Sequence, residues 1–257
     1  MKNSKATPHT AITKIVVNAI TFTAKNMLPF LKYWALPFIA SVVVYALTVG
    51  LVSKLPANGF TSFLEGVMYI ISGGISLITA SYWVPKWIHY YETGTSSPLL
   101  SYGAVNRMYL RKSLSFTGVA VIALMLVTGF TQVLQHVSST LNLLASIILI
   151  TGFFYLCYRF CFVIPAAALG DTITFRDSWD KTAKGTWQFL GLILLLTLLV
   201  NLPFVLIGLV VGTLSHLKGG GLMGMLIILG SVLLFLANVL FFGAFSIAWT
   251  NFYKKIR

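Results

Sequence analysis

Negative charge is almost missing from this chain: there are five Asp and Glu among 257 residues, against eighteen Lys and Arg. Charged residues of both signs make up only 9%, where a soluble domain carries about 25%. So few charges cannot cover a water-exposed surface of this size, which excludes an ordinary soluble fold. Cysteine is nearly absent as well. Cys157 and Cys161 sit four residues apart in one apolar run, which suggests neither a disulfide framework nor a zinc site. They are read as polarisable packing side chains. Of the four histidines, His89, His136 and His216 fall at boundaries or turns and share no metal-ligand spacing. No Walker loop, nucleophile elbow or zinc-protease motif occurs, so no cofactor, metal or catalytic residue is expected. The first 26 residues are polar and basic, without a short apolar core before a small-residue cleavage site, and no cleavable signal peptide is expected.

What fills the chain instead is apolar: 58% of it. A helix needs roughly 20 such residues to cross a hydrocarbon core. Six runs qualify, at about Met27–Leu51, Ser62–Lys86, Ser115–Gln135, Leu141–Ile164, Phe189–Thr213 and Leu222–Asn251. If the amino terminus is cytoplasmic, sixteen of the eighteen basic residues fall on the inner side, and only Lys54 and Lys218 fall outside. All six tryptophans also fall near the inner boundary, where amphipathic rings prefer to sit. An even number of spans keeps both termini inside. The net charge of +13 would suit nucleic acid only as a basic face on a soluble domain. Here the cations occupy the gaps between apolar runs, as anchors for anionic lipid headgroups do.

The inner gaps carry helical periodicity of their own. In Ala11–Asn26 the apolar Ile12, Ile15, Val16, Ala19 and Ile20 oppose Lys14, Asn18, Thr21 and Lys25. This is the pattern of a helix lying in the interface. Ser101–Ser113 repeats it with Arg107, Arg111 and, close behind, Lys112; Thr174–Trp187 repeats it with Arg176, Lys181 and Lys184. The expected fold is therefore all-α: one integral membrane domain over residues 1–257, with six transmembrane helices as three hairpins. Each hairpin follows a cytoplasmic amphipathic helix (11–26, 101–113 and 174–187). The outer turns are Ser53–Thr61, His136–Thr140 and Leu214–Gly221.

The residues Arg159-Phe160, Phe162, Pro165, Ala168-Leu169-Gly170, Ser178, Thr182, Lys184-Gly185 and Trp187 form a series that resembles a group of bacterial six-helix inner-membrane proteins. That group includes the membrane domain of glycerophosphoryl diester phosphodiesterases and related stand-alone membrane families. Lys25-Asn26-Met27-Leu28-Pro29-Phe30 is similar to the entry to the first helix in the same group. The motif covers about 30 residues, though the layout matches over the whole chain. It implies a fold and an inner-membrane location. It implies no activity, because the soluble phosphodiesterase domain has no counterpart here.

Arg159 is the ionisable residue of most interest. It lies six residues before Pro165, or about 9 Å along a helix axis. It either snorkels to the headgroups or is buried, capping carbonyls freed at a kink or facing a polar cavity. Pro165 removes the donor to the Cys161 carbonyl, so a bend is expected there. Glu65 is placed about one turn from the outer water, as a boundary residue rather than a functional carboxylate. Lys14, Lys25, Arg107, Arg111, Lys112, Arg176, Lys181 and Lys184 are the candidate lipid-headgroup contacts. Asp177–Lys181 and Asp180–Lys184 are helix-stabilising i, i+4 pairs, and Asp171 caps or precedes that helix. Small residues in the second run (Ser72, Gly73, Gly74, Ser76) and the last (Gly230, Ser231, Gly243, Ala244, Ser246) permit close helix contacts, or line a narrow polar path.

The function expected from these features is non-enzymatic. It is a role in membrane or envelope homeostasis through binding of anionic lipids or a partner at the basic cytoplasmic face, with no nucleic acid involved. A small-solute transporter or channel is the alternative, and a membrane-embedded lipid enzyme using Asp171, Asp177 and Asp180 is the second alternative.

Overall fold

The computed structural model describes residues 8–52, 59–98, 101–135, 138–183, 185–214 and 220–257. The expected outer turns fall largely outside these residues, as do Lys54, Lys184, Lys218, His136 and His216. The side chains of Pro37, Glu65, Pro203 and Ser231 also lie outside the described residues. Every regular element among the described residues is a helix: α1 (Pro8–Lys25), α2 (Met27–Val52), α3 (Gly59–Thr93), α4 (Ala104–Gln135), α5 (Ser139–Phe160), α6 (Val163–Ala168), α7 (Phe175–Thr182), α8 (Thr186–Leu214) and α9 (Gly220–Ile256). By length and composition, three described helical stretches can cross a membrane: Ala104–Gln135, Ser139–Ala168 and Phe235–Ile256. A fourth is added if α7 and the first part of α8 form one broken span. The chain is accordingly an all-helical integral membrane protein.

Contacts divide the chain into two compact units, Met1–Leu31 with Gly185–Lys255, and Lys32–Lys184 with the last two residues. In the first unit, α1 packs against α8. Ile12, Val16, Ala19 and Thr23 are buried along one face of α1, while Lys14, Asn18, Thr21 and Lys25 are exposed. The apolar stripe is thus covered by protein. On α8, Phe189, Leu192, Leu196 and Val200 are buried at helical spacing, while Leu190, Leu194 and Leu198 are exposed. Phe189 meets Trp249 and Phe252 of α9, at ring separations of 6.3 and 5.5 Å. Gly243 of α9 faces Thr23 and Phe30 so closely that a methyl group has no room there. This is the close approach expected of that small residue. Gly73, Gly74 and Gly230 have nothing within 4 Å of where a Cβ would stand, so their smallness is not used for such a contact.

In the second unit, α4 packs against α3, α5 and α6, and α5 packs against α7. Residues 101–113 and 115–135 differ from expectation: from Ala104 onward they form one continuous helix, α4. The junction Arg111-Lys112-Ser113-Leu114-Ser115 contains no Gly or Pro, so nothing breaks the hydrogen-bond ladder. Similarly, α3 continues through Pro85 to Thr93. Along their length α4 and α5 expose Met125, Leu126, Ile148 and Phe154, each about two-thirds uncovered. Apolar exposure of this extent marks a surface that meets something other than water, and on these spans that is lipid.

Where a bend is expected near Pro165, the α-helix is interrupted for two residues, while Ser139–Ala168 remains one stretch of membrane-spanning length. The run 141–164 divides at Cys161-Phe162, between α5 and α6. Pro165 has no N–H to offer the Cys161 carbonyl, and its ring crowds that carbonyl; Ile164 N–H donates to it instead, at 3.2 Å. After α6 the chain reverses through Gly170, at φ 85°. There Gly170 N–H donates to Ala167 O at 3.2 Å and Asp171 N–H to Ala166 O at 2.8 Å. This pairing ends a helix on a left-handed residue, which glycine adopts without strain.

Candidate functional site

Two helix irregularities in the second unit free backbone carbonyls, and side chains from neighbouring segments occupy both. The break after α5 leaves the Arg159 carbonyl without its helical donor. Ser178 Oγ donates to it at 2.8 Å and Thr182 Oγ1 at 3.3 Å. In α3, Pro85 deprives the Ser81 carbonyl of its donor. Asn106 Nδ2 of α4 supplies it at 2.8 Å, while Asn106 Oδ1 accepts from Gly103 N–H at 3.1 Å. These carbonyls are buried in protein, where an unpaired one costs about 1–3 kcal/mol. The hydroxyl and amide side chains are therefore positioned by backbone need.

The segment α5–α7 folds around this repair. Tyr158 Oη donates to Thr182 O at 2.9 Å. Phe160 meets Phe175 and Trp179 at 5.6 and 5.4 Å, and Tyr155 meets Trp179 edge-on at 6.1 Å. The helix α7 begins at a complete capping box: Asp177 N–H donates to Thr174 Oγ1 at 3.1 Å, and Thr174 N–H to Asp177 Oδ2 at 2.8 Å. Thr174 rather than Asp171 is the cap. These hydrogen bonds from the Thr174 backbone and hydroxyl hold the Asp177 carboxyl below the ordinary carboxylate range, with Lys181 and Arg176 adding to the effect. Asp171 instead accepts an ion pair from Arg257 Nη1 at 2.9 Å. The expected third surface helix is thus shorter than 174–187: it ends at Thr182, and Trp187, 84% exposed, belongs to α8.

Arg159 is only 7% exposed. Its guanidinium lies 4.1 Å from the Trp179 ring centre and 5.7 Å from that of Tyr155. Its Nε is sealed from the surface and has no acceptor. Among the described residues the side chain is packed against aromatic rings and neither caps a carbonyl nor lines a cavity, so it matches neither form of the expected buried role. The carbonyl capped at the kink is Arg159's own, and the side chain does no capping.

The candidate headgroup contacts divide by exposure. Lys14, Lys25, Arg107, Arg111 and Arg176 are exposed and Lys181 is partly so, but Lys112 is diverted. Its Nζ donates to Ile173 O at 2.8 Å, tying α4 to the α6–α7 connection. No family model matches the chain, and neither curated proteins nor solved structures give a match. The site is therefore read on its chemistry alone.

One feature escaped the sequence. A cavity of about 510 Å3 opens where the end of α3, Ser97, the stretch leading into the start of α4 from Ser101 and the end of α6 meet, lined in part by Lys86, His89, Glu92, Ser97, Asn106 and Leu169. Lys86 is buried beside it, with Nζ donating to Pro98 O at 3.0 Å and 4.0 Å from the Tyr82 ring centre. Tyr33 Oη accepts from Ser97 N–H at 3.0 Å and holds the connecting segment. Arg159 is not among the described residues that line this cavity. Among the described residues, no three His, Cys, Asp or Glu side chains gather in a way that could hold a metal ion. The spacing Lys86, His89, Glu92 was visible in the sequence, but the cavity depends on long-range contacts that no local pattern reports.

Proposed function

We infer that the chain crosses the bacterial inner membrane six times as three hairpins, with both termini in the cytoplasm. Its basic cytoplasmic end binds anionic lipid headgroups, and it serves membrane or envelope homeostasis without catalysing a reaction. The resemblance to six-helix inner-membrane proteins points to the same layout. The observation that carries the functional part is a convergence of cations. Two bonds, Asn106 to Ser81 and Lys112 to Ile173, join α3, the first turns of α4 and the α6–α7 connection. The second bond holds the start of α4, which carries Arg107 and Arg111, against the connection leading into α7, which carries Arg176 and Lys181. Few carboxylates accompany them: Asp177 is held by its cap and Asp171 by Arg257. A cationic surface beside a bilayer attracts anionic lipid by about 1 kcal/mol per Lys or Arg near the membrane.

The test is lipid retention by the purified full-length protein in detergent, titrated with phosphatidylglycerol or phosphatidylcholine and read by native mass spectrometry. Preferential, salt-sensitive retention of phosphatidylglycerol is expected, reduced in the double variant Arg107→Gln/Arg111→Gln. Equal retention of the two lipids would reject the reading.

A further inference from the structure

Arg159 presents an unbalanced charge. Burial of a guanidinium is offset when an anion and hydrogen-bond acceptors are supplied, and attraction to two aromatic rings replaces only part of that. Among the described residues no carboxylate supplies the anion. Asp177 accepts from Thr174 and Asp171 pairs with Arg257, while Asp180 of α7 is exposed and Glu92 lies on α3. Among the described residues the Arg159 guanidinium has no hydrogen bond or ion pair, and Nε is the one of its nitrogens sealed from the surface. The two terminal nitrogens therefore reach the surface, beside the half-exposed Tyr155 ring. The guanidinium carbon lies 4.1 Å from the Trp179 ring centre, so the indole holds the fork in place.

We propose that Arg159, held between Trp179 and Tyr155, is a binding site for the phosphate of an anionic lipid. The planar fork matches two phosphate oxygens in a way that a point charge does not. The location selects the source of that phosphate. Arg159 is six residues from Pro165, about 9 Å along the helix axis, at the end of a membrane span where an indole and a phenol stand at headgroup level. This site rests on the lipid-binding function inferred above and gives it a specific residue.

The test is fluorescence quenching of the full-length protein in nanodiscs, with the Trp179 contribution isolated by difference against Trp179→Phe. Brominated phosphatidylglycerol is expected to quench the Trp179 component more than brominated phosphatidylcholine at the same mole fraction. Arg159→Gln should lower that preference about tenfold, the equivalent of one charge-assisted hydrogen bond, and Arg159→Lys should restore it only in part. Equal quenching by the two lipids, or a preference that survives Arg159→Gln, overturns the proposal. In a further arm, inorganic phosphate is added to nanodiscs of phosphatidylcholine alone. A Trp179 response there would make the site one for soluble phosphate and overturn the lipid assignment. The comparison of brominated lipids does not need the Arg159 variants, so a variant that fails to fold leaves it standing. Equal quenching alongside salt-sensitive retention of phosphatidylglycerol removes this site but keeps the broader function. Equal behaviour of the two lipids in both measurements removes both.

Discussion

Gly243→Ala adds a single methyl group at the tightest helix approach in the first unit. Its Cβ would stand 2.6 Å from Thr23 Cγ2 and 3.2 and 3.3 Å from two ring carbons of Phe30. Carbon atoms settle at about 3.5–4.0 Å, so about 1 Å of separation has to be found. Neither neighbour yields easily, since both are completely buried. Turning the Thr23 methyl aside also displaces Thr23 Oγ1, which donates to Ala19 O at 2.9 Å. Overpacking of this kind costs about 1–3 kcal/mol, while replacing Gly by Ala inside a helix returns about 1 kcal/mol. Net destabilisation of up to about 2 kcal/mol is expected. Gly74→Ala in α3 is the control: its Cβ would meet nothing within 4 Å, so only the helix gain applies. The two variants should therefore differ by roughly the overpacking cost, about 1–3 kcal/mol. Unfolding of the full chain in one detergent, followed by near-ultraviolet circular dichroism, measures the difference. Thr23→Ser keeps the hydroxyl and removes the obstructing methyl, so Thr23→Ser/Gly243→Ala should recover most of the loss. If Gly243→Ala is at least as stable as Gly74→Ala, the packing argument is wrong.

Other expectations concern the segment from α5 to α7. Ser178→Ala/Thr182→Val strips both donors from the buried Arg159 carbonyl and should cost about 1–3 kcal/mol. Either single change should cost less, because one hydroxyl remains; equal losses for one and both would contradict the shared cap. Thr174→Ala removes the capping box and should weaken α7 by about 1 kcal/mol, seen as faster amide exchange confined to 175–182. The Asp177 carboxyl titrates lower in the folded chain than in the unfolded one. Its contribution is thus complete above the ordinary carboxylate pKa and is lost as pH falls through the lower folded value. Protection of α7 should hold at neutral pH and fade only under strong acid, and Asp177→Asn should abolish that dependence.

The sequence and the structure agree where a residue's environment is decided nearby. Apolar runs gave helices, the alternation of Ile12, Val16 and Ala19 with Lys14 and Lys25 gave the two faces of α1, and Pro165 gave a break four residues upstream. They part where a competing partner decides. Asp177 keeps Lys181 as a favourable neighbour, but the spacing gave no sign that Thr174 would add two hydrogen bonds to the same carboxylate. Lys112 looked like one more surface cation until the Ile173 carbonyl was folded beside it. The amphipathic pattern at 101–113 and the apolar run after it belong to one helix, because a change in polarity does not interrupt backbone hydrogen bonding. Arg159 was recognisable as unusual, but its surroundings come from α7, and the cavity near His89 and Glu92 is assembled from three separate elements.

The proline in α3 has a mechanical consequence. The Ser81 carbonyl that Pro85 leaves open is filled by one amide group on the neighbouring helix, Asn106. A piston-like shift of α4 along α3 by even one turn would leave that carbonyl unmatched, where water is not at hand to replace the donor. Sliding between these helices is therefore disfavoured, whereas rocking about the Asn106 contact preserves the bond. The joint acts as a pivot with fixed register, and any working motion of this pair would be a change of tilt.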